Sequence, residues 1–171
     1  MRKFAIVLSA AILASIALAP AQTKPMEISI APSQASQLSV CEKLLKDGNA
    51  DKAFTDIQKN LLNYNSIDLP RALYVEGKAK AAMAEKAAGD AKKKLHAEAA
   101  LDFMRVVTFF PYAAEAGSSL VETGSALKAM GDNASAAAAW DAAISKYPNS
   151  PAQAEAQGLM AKLSPTTAPK E

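Results

Sequence analysis

One cysteine, Cys41, and one histidine, His96, are all that the 171 residues hold of the two most versatile functional side chains. A lone cysteine excludes an intramolecular disulfide, so stability must come from packing. Burial as a small hydrophobe and exposure as a reactive or cross-linking thiol both stand open for it. A lone histidine excludes a two-histidine metal site and leaves any Ser-His-Asp arrangement dependent on His96 alone. His96 lies in KKKLHAEAAL with no carboxylate marked as its partner, which reads as a structural or solvated histidine. Aromatics are also few, at 6%, while 50% of the residues are hydrophobic. The apolar content is therefore chiefly alanine, leucine and valine, which suits close helix packing better than a β-sandwich. Seven glycines and nine prolines are too few for a disordered chain.

Charge of one sign is missing as well. Arg2 and Lys3 precede an apolar run from Phe4 to Ala19, and Ala19-Pro20-Ala21 follows as a small-x-small site. This order predicts a secretory signal peptide over residues 1–21. The run is 16 residues long, interrupted by Ser9 and Ser15, and so is short of the roughly 20 needed to span hydrocarbon. The cleavage point carries no cysteine for a lipid. Removing Arg2 and Lys3 leaves 17 basic side chains against 17 acidic ones. A neutral balance offers no electrostatic case for nucleic acid or anionic lipid. Lys92, Lys93 and Lys94 form the one dense basic run and read as a solvated helix face.

Residues 22–33 contain two prolines and no helical period, predicting a flexible leader, and residues 164–171 predict a disordered tail. The span 34–163 is helix-forming throughout, punctuated at Asp47-Gly48-Asn49, Asn63 to Asp68, Gly89-Asp90, Pro111, Gly131-Asp132-Asn133 and Tyr147-Pro148-Asn149. These marks predict seven helices: pairs over 34–63, 69–110 and 113–147, and a capping helix over 150–163.

The helices repeat. Ala99, Phe103, Val106, Phe110 and Pro111 recur as Ala136, Trp140, Ala143, Tyr147 and Pro148 at a constant offset of 37. Upstream, Leu73-(x3)-Gly77 matches Leu120-(x3)-Gly124, and Gly48 is followed by Ala53, Ile57 and Asn60 much as Gly131 is by Ala136, Trp140 and Ala143. Spacings of four and three put small residues on either side of one large ring on a single helix face. Gly77 and Gly124 are then expected at close helix contacts, and Gly89 and Gly131 in turns.

Leu120-(x3)-Gly124-(x2)-Leu127, followed by Ala136-(x3)-Trp140-(x2)-Ala143 and Pro148, resembles the tetratricopeptide repeat. The second unit carries about ten extra residues between Gly77 and Ala99. Such lengthened units are similar to the cell-envelope branch of the family, found in Tol-Pal-associated and outer-membrane assembly proteins. The resemblance implies an all-α tetratricopeptide-like α-solenoid of three helix pairs plus a capping helix, whose first helices line a concave partner groove. Carried over by position, that groove comprises Arg71, Tyr74 and Lys78 in the second unit and Ser118, Val121, Ser125 and Lys128 in the third, with Leu38, Glu42 and Leu45 in the first. Arg71, Lys78 and Lys128 would hold a partner's carboxylate; Tyr74 and Val121 could equally be packing residues.

No glycine follows a strand or leads into Gly-Lys-Ser/Thr, so no phosphate loop is expected, and no catalytic residues, metal or cofactor are assigned. The expected function is a non-catalytic protein-interaction scaffold, secreted and periplasmic, with no nucleic acid and no stable membrane span after signal removal. A small-ligand carrier or helical enzyme using the groove as a pocket, and a homo-oligomeric structural module, are the alternatives.

Overall fold

The computed structural model describes residues 33–163. The expected signal peptide, all of the expected leader but Ser33, and the tail lie outside the described residues. Within them every regular element is helical: α1 (Gln34–Lys46), α2 (Ala50–Asn60) with a single 3-10 turn (Leu61–Asn63), α3 (Leu69–Lys86), α4 (Gly89–Phe109), α5 (Ala116–Ala129), α6 (Asn133–Lys146) and α7 (Pro151–Leu163). The helix pairs and final helix fall where the punctuation placed them.

Local chemistry sets these boundaries. Ser33 begins α1 by accepting a hydrogen bond from the Ser36 amide at 3.2 Å, and Asp132 begins α6 by accepting one from the Ser135 amide at 3.0 Å. α1 and α5 end alike. Gly48 and Gly131 take φ of +78° and +89°, and the Asn49 and Asp132 amides reach back to the Leu44 and Leu127 carbonyls at 2.8 and 3.1 Å. α4 and α6 also share an ending, with Phe110 at φ −135°, ψ 55° and Tyr147 at φ −124°, ψ 61°. Their amides bond Val106 and Ala143 at 2.8 and 3.2 Å. The offset of 37 is thus a repeat of backbone conformation as well as residue type. The extra residues of the second unit lengthen α3 and α4 to 18 and 21 residues, joined by the short turn at Ala87 and Ala88.

Each helix packs on the next in sequence, and contacts also run α1 to α3, α3 to α5 and α5 to α7. The even-numbered helices make no comparable contact with one another among the described residues. The odd-numbered helices therefore form a continuous inner row, with α2, α4 and α6 splayed on the outer side.

The core is divided along this row. One cluster joins Cys41, Ala53, Ile57, Val75 and Ala79, and another joins Leu120, Val121, Ala136, Trp140, Ala143, Ala152 and Ala156. Ala99, Phe103 and Val106 are fully buried, as are their counterparts Ala136, Trp140 and Ala143. A Cβ at Gly77 would stand 2.6 Å from Phe103 Cε1, and one at Gly124 would stand 2.6 Å from Trp140 Cδ1. The absent methyl makes room for the opposing ring. The buried indole also donates to the Val121 carbonyl at 3.0 Å, so it is satisfied as well as enclosed. Cys41 takes the burial alternative, 3% exposed and with its pKa raised, first by desolvation and then by Asp56 and Glu42. None of the described helices is long and apolar enough to cross a membrane.

Candidate functional site

The inner row gathers the positions assigned to a partner groove, and it has already used two of their cations. Arg71 on α3 grips Glu42 on α1 with both arms of its guanidinium, Nε to Oε1 and Nη2 to Oε2 at 2.8 Å each, and Nη2 reaches Ser39 Oγ at 3.2 Å. Lys78, two helical turns further on, pairs with Glu122 on α5 at 2.5 Å. These bonds tie α1 to α3 and α3 to α5, engaging two of the three side chains expected to receive a partner's carboxylate.

Tyr74 sits between the two pairs. Its ring leans on Phe103, centroids 5.7 Å apart and planes tilted by 54°. Burial raises its phenol pKa most, and the charges of Glu122, Glu155, Glu115 and Glu42 raise it further. Carboxylates from α1, from the residue preceding α5, from α5 itself and from α7 thus act on one hydroxyl. Glu115 and Glu155 have no ion pair among the described residues.

The remaining groove positions divide. Val121 is 1% exposed and belongs to the core, its carbonyl holding the indole. Ser125 donates its hydroxyl to that same carbonyl at 3.1 Å and lines a recess. Ser118 is half-buried. Lys128 is exposed, its ammonium 5.9 Å from the Trp140 ring centroid. In the first unit Glu42 and Leu45 are partly accessible, but Leu38 is fully buried and cannot line a groove. α1 packs Leu38 against Tyr64 and Ala72, covering the side chain that a count from Cys41 placed outward.

Between α3 and α5 lies a recess of about 310 Å³, walled by alanines and lined by Lys78, Glu85, His96, Glu122 and Ser125. His96 is only 3% exposed. Its Nε2 lies 3.3 Å from Glu85 Oε1 without hydrogen-bond geometry, and Nδ1 has no partner among the described residues. Burial lowers its pKa, Glu85 opposing and Lys92 reinforcing the shift. Of the two readings, structural or solvated, the buried ring fits the first, and its carboxylate neighbour had no mark in the sequence. Residues 85 and 96 meet only because the hairpin after Lys86 folds α4 back along α3.

A second polar cluster, also unmarked in the sequence reading, lies inside the α3–α4 contact. Lys80 bonds Asp102 at 2.6 Å and Glu76 at 2.9 Å, and Arg105 bonds the other Asp102 oxygen at 2.6 Å. The four-residue step from Glu76 to Lys80 and the three-residue step from Asp102 to Arg105 were its visible signals. Gln58 donates to Glu76, and the Lys80 ammonium lies 5.6 Å from the Phe54 ring centroid. Burial opposes the Lys80 charge, but hydrogen bonds to Asp102 and Glu76 more than offset it and hold the ammonium above its ordinary pKa. Glu76, Lys80 and Asp102 are buried while Arg105 closes the cluster at a half-exposed rim, and although Glu76 Oε2 has no hydrogen-bond partner among the described residues, the cluster binds helices together. Among the described residues no group of three or more His, Cys, Asp and Glu is placed to hold a metal ion.

On the outer side an open apolar groove of about 680 Å³ runs between α4 and α6 over α5, with Leu101, Met104, Leu127, Met130 and Ala142 among its walls. A scan against family models and a search of curated proteins gave no match to this chain.

Proposed function

We propose that this chain is a non-catalytic interaction scaffold of tetratricopeptide-like architecture, secreted to the bacterial cell envelope, which receives a partner segment along the face of α1, α3, α5 and α7. The observation that carries this reading is the continuous row of α1 on α3, α3 on α5 and α5 on α7, its neighbours tied by the ion pairs Arg71–Glu42 and Lys78–Glu122. A surface to which the two terminal helices both contribute is suited to contact an extended segment along its length. The matched endings of α4 and α6, and the glycine-to-ring contacts Gly77–Phe103 and Gly124–Trp140, support the architecture. The envelope assignment rests on the N-terminal sequence.

The test is photocrosslinking in cells with the reactive amino acid placed at Tyr74, at Ser118 or at Leu101 on the outer side. The expected result is one protein adduct shared by positions 74 and 118 and absent at 101. Adducts from 101 alone would move the partner surface to the outer groove and defeat the proposal. A homo-oligomeric module is the second reading, favoured by the exposure of Leu101 (60%) and Met104 (39%) beside that groove. Light scattering on the secreted protein separates it from a monomeric scaffold.

A further inference from the structure

The connections that follow α2, α4 and α6 meet along one edge of the row. Leu62 and Phe109 line one recess there, of about 540 Å³, and Pro111, Tyr112, Lys146 and Tyr147 line the next, of about 450 Å³. Phe110 and Tyr147 pack on one buried cluster, and the Tyr147 hydroxyl donates to the Pro111 carbonyl at 2.9 Å, which joins the two recesses into a single edge. Four large apolar side chains stand out from it: Leu62 is 99% and Tyr112 100% exposed, and Ile67 and Phe109 are exposed as well. The charged side chains that line the two recesses are both cations, Arg105 and Lys146. Arg105 gives one nitrogen to Asp102, and Lys146 has no ion pair among the described residues. Asp68 and Glu115, the carboxylates of these connections, are half-buried and line neither recess, and Asp68 accepts from Asn65 at 3.0 Å. A rigid partner would have to fill each recess to exclude water from these tips. A bilayer interface conforms to them: it takes aliphatic tips below its headgroups, holds a tyrosine ring at headgroup depth and draws cations to phosphate.

We propose that this edge docks the protein on a phospholipid bilayer surface, with Leu62, Ile67, Phe109 and Tyr112 entering the interface and Lys146 lying at the level of the phosphates. The attachment is peripheral, since none of the described helices is long and apolar enough to cross a membrane. Binding comes chiefly from the apolar tips, and the cations add a preference for anionic lipid. The neutral balance of the whole chain offered no electrostatic case for lipid; the case here comes from placement, because cations alone line the edge. Arg71, Tyr74 and Lys78 line neither recess, so docking leaves the inner row open to a partner and the two readings stand or fall separately.

The test is vesicle flotation of the secreted protein, on phosphatidylethanolamine vesicles containing phosphatidylglycerol and on vesicles of phosphatidylcholine alone. The protein is expected to float with both and to bind the anionic vesicles more tightly. Leu62→Ser with Phe109→Ser should weaken binding at least about tenfold while circular dichroism stays unchanged. Lys146→Gln should weaken it about fivefold on the anionic vesicles only. A polarity-sensitive dye attached at Tyr112→Cys should shift its emission to the blue when vesicles are added, and the same dye at Asp90→Cys, at the start of α4, should not. Cys41 is buried, so labelling goes to the added thiol. Equal flotation of all variants, no flotation at all, or a dye at position 112 that vesicles leave unchanged would each overturn the proposal. So would a dimer in light scattering that Leu62→Ser with Phe109→Ser splits while vesicles go unbound, which would make the edge a contact between two copies. The Tyr74 crosslink tests the scaffold reading independently.

Discussion

Adding one methyl group to Gly124 should destabilise the protein, although helix propensity alone says the reverse. Glycine in a helix interior costs about 1 kcal/mol relative to alanine, so Gly124→Ala begins with a gain of that size. The new Cβ, however, would stand 2.6 Å from Cδ1 and 2.8 Å from Cε2 of Trp140. That ring cannot simply swing aside, because it is fully buried and its Nε1 is held at 3.0 Å by the Val121 carbonyl. Overpacking of this kind costs about 1 to 3 kcal/mol, and loss of the indole hydrogen bond adds about 1. The net expectation is a loss of about 1 to 3 kcal/mol. Gly158 is the control: it too lies inside a helix, but a Cβ there meets nothing within 4 Å. Gly158→Ala should therefore stabilise by about 0.5 to 1 kcal/mol. Urea unfolding followed by circular dichroism at a helical band measures both. If the two variants shift stability in the same upward direction, α5 and α6 do not meet through this ring, and the helix register falls with it.

Trp140→Ala should cost about 3 to 5 kcal/mol in the same assay, since a large enclosed side chain is removed along with its hydrogen bond. Lys80→Met should cost about 3 to 5 kcal/mol near neutral pH by leaving buried Glu76 without a cation and Asp102 with Arg105 alone; the deficit should narrow in acid as Asp102, whose pKa burial already raises, takes up a proton. His96 has its folded pKa below the ordinary 6.5, so the unfolded chain takes up the proton more readily. The melting temperature should fall as pH drops below that value, and His96→Gln should flatten the dependence over that window. Cys41 should react with a thiol reagent only as fast as the native protein opens, because burial keeps it protonated and covered.

Periodicity carried the helices and their pairing: Ala136, Trp140 and Ala143 fall on one face by spacing alone, and that face is the one buried. Gly48 and Gly131 declared their turns because only a residue without Cβ takes those φ values readily. Contacts between helices did not declare themselves. Arg71 with Glu42 and Lys78 with Glu122 span 29 and 44 residues, and their register depends on how far one helix slides along another. The same holds for Glu85 beside His96 and for Asp102 beneath Lys80, which follow from the lengths of α3 and α4 once the hairpin is formed. Leu38 shows a further limit, that of counting from a weak repeat: at the start of the row, α1 turns that residue onto Tyr64 and Ala72.

The chain's one tryptophan lies within a cluster whose buried members come from α5, α6 and α7, with Val107 of α4 packed against them, apart from the cluster around Cys41 and Ile57. Indole emission therefore reports on the last third of the row and is blind to the first. Superimposed fluorescence and dichroism transitions would mean that the separate cores melt as one cooperative body; staggered transitions would mean that each stretch of the row keeps its own melting point.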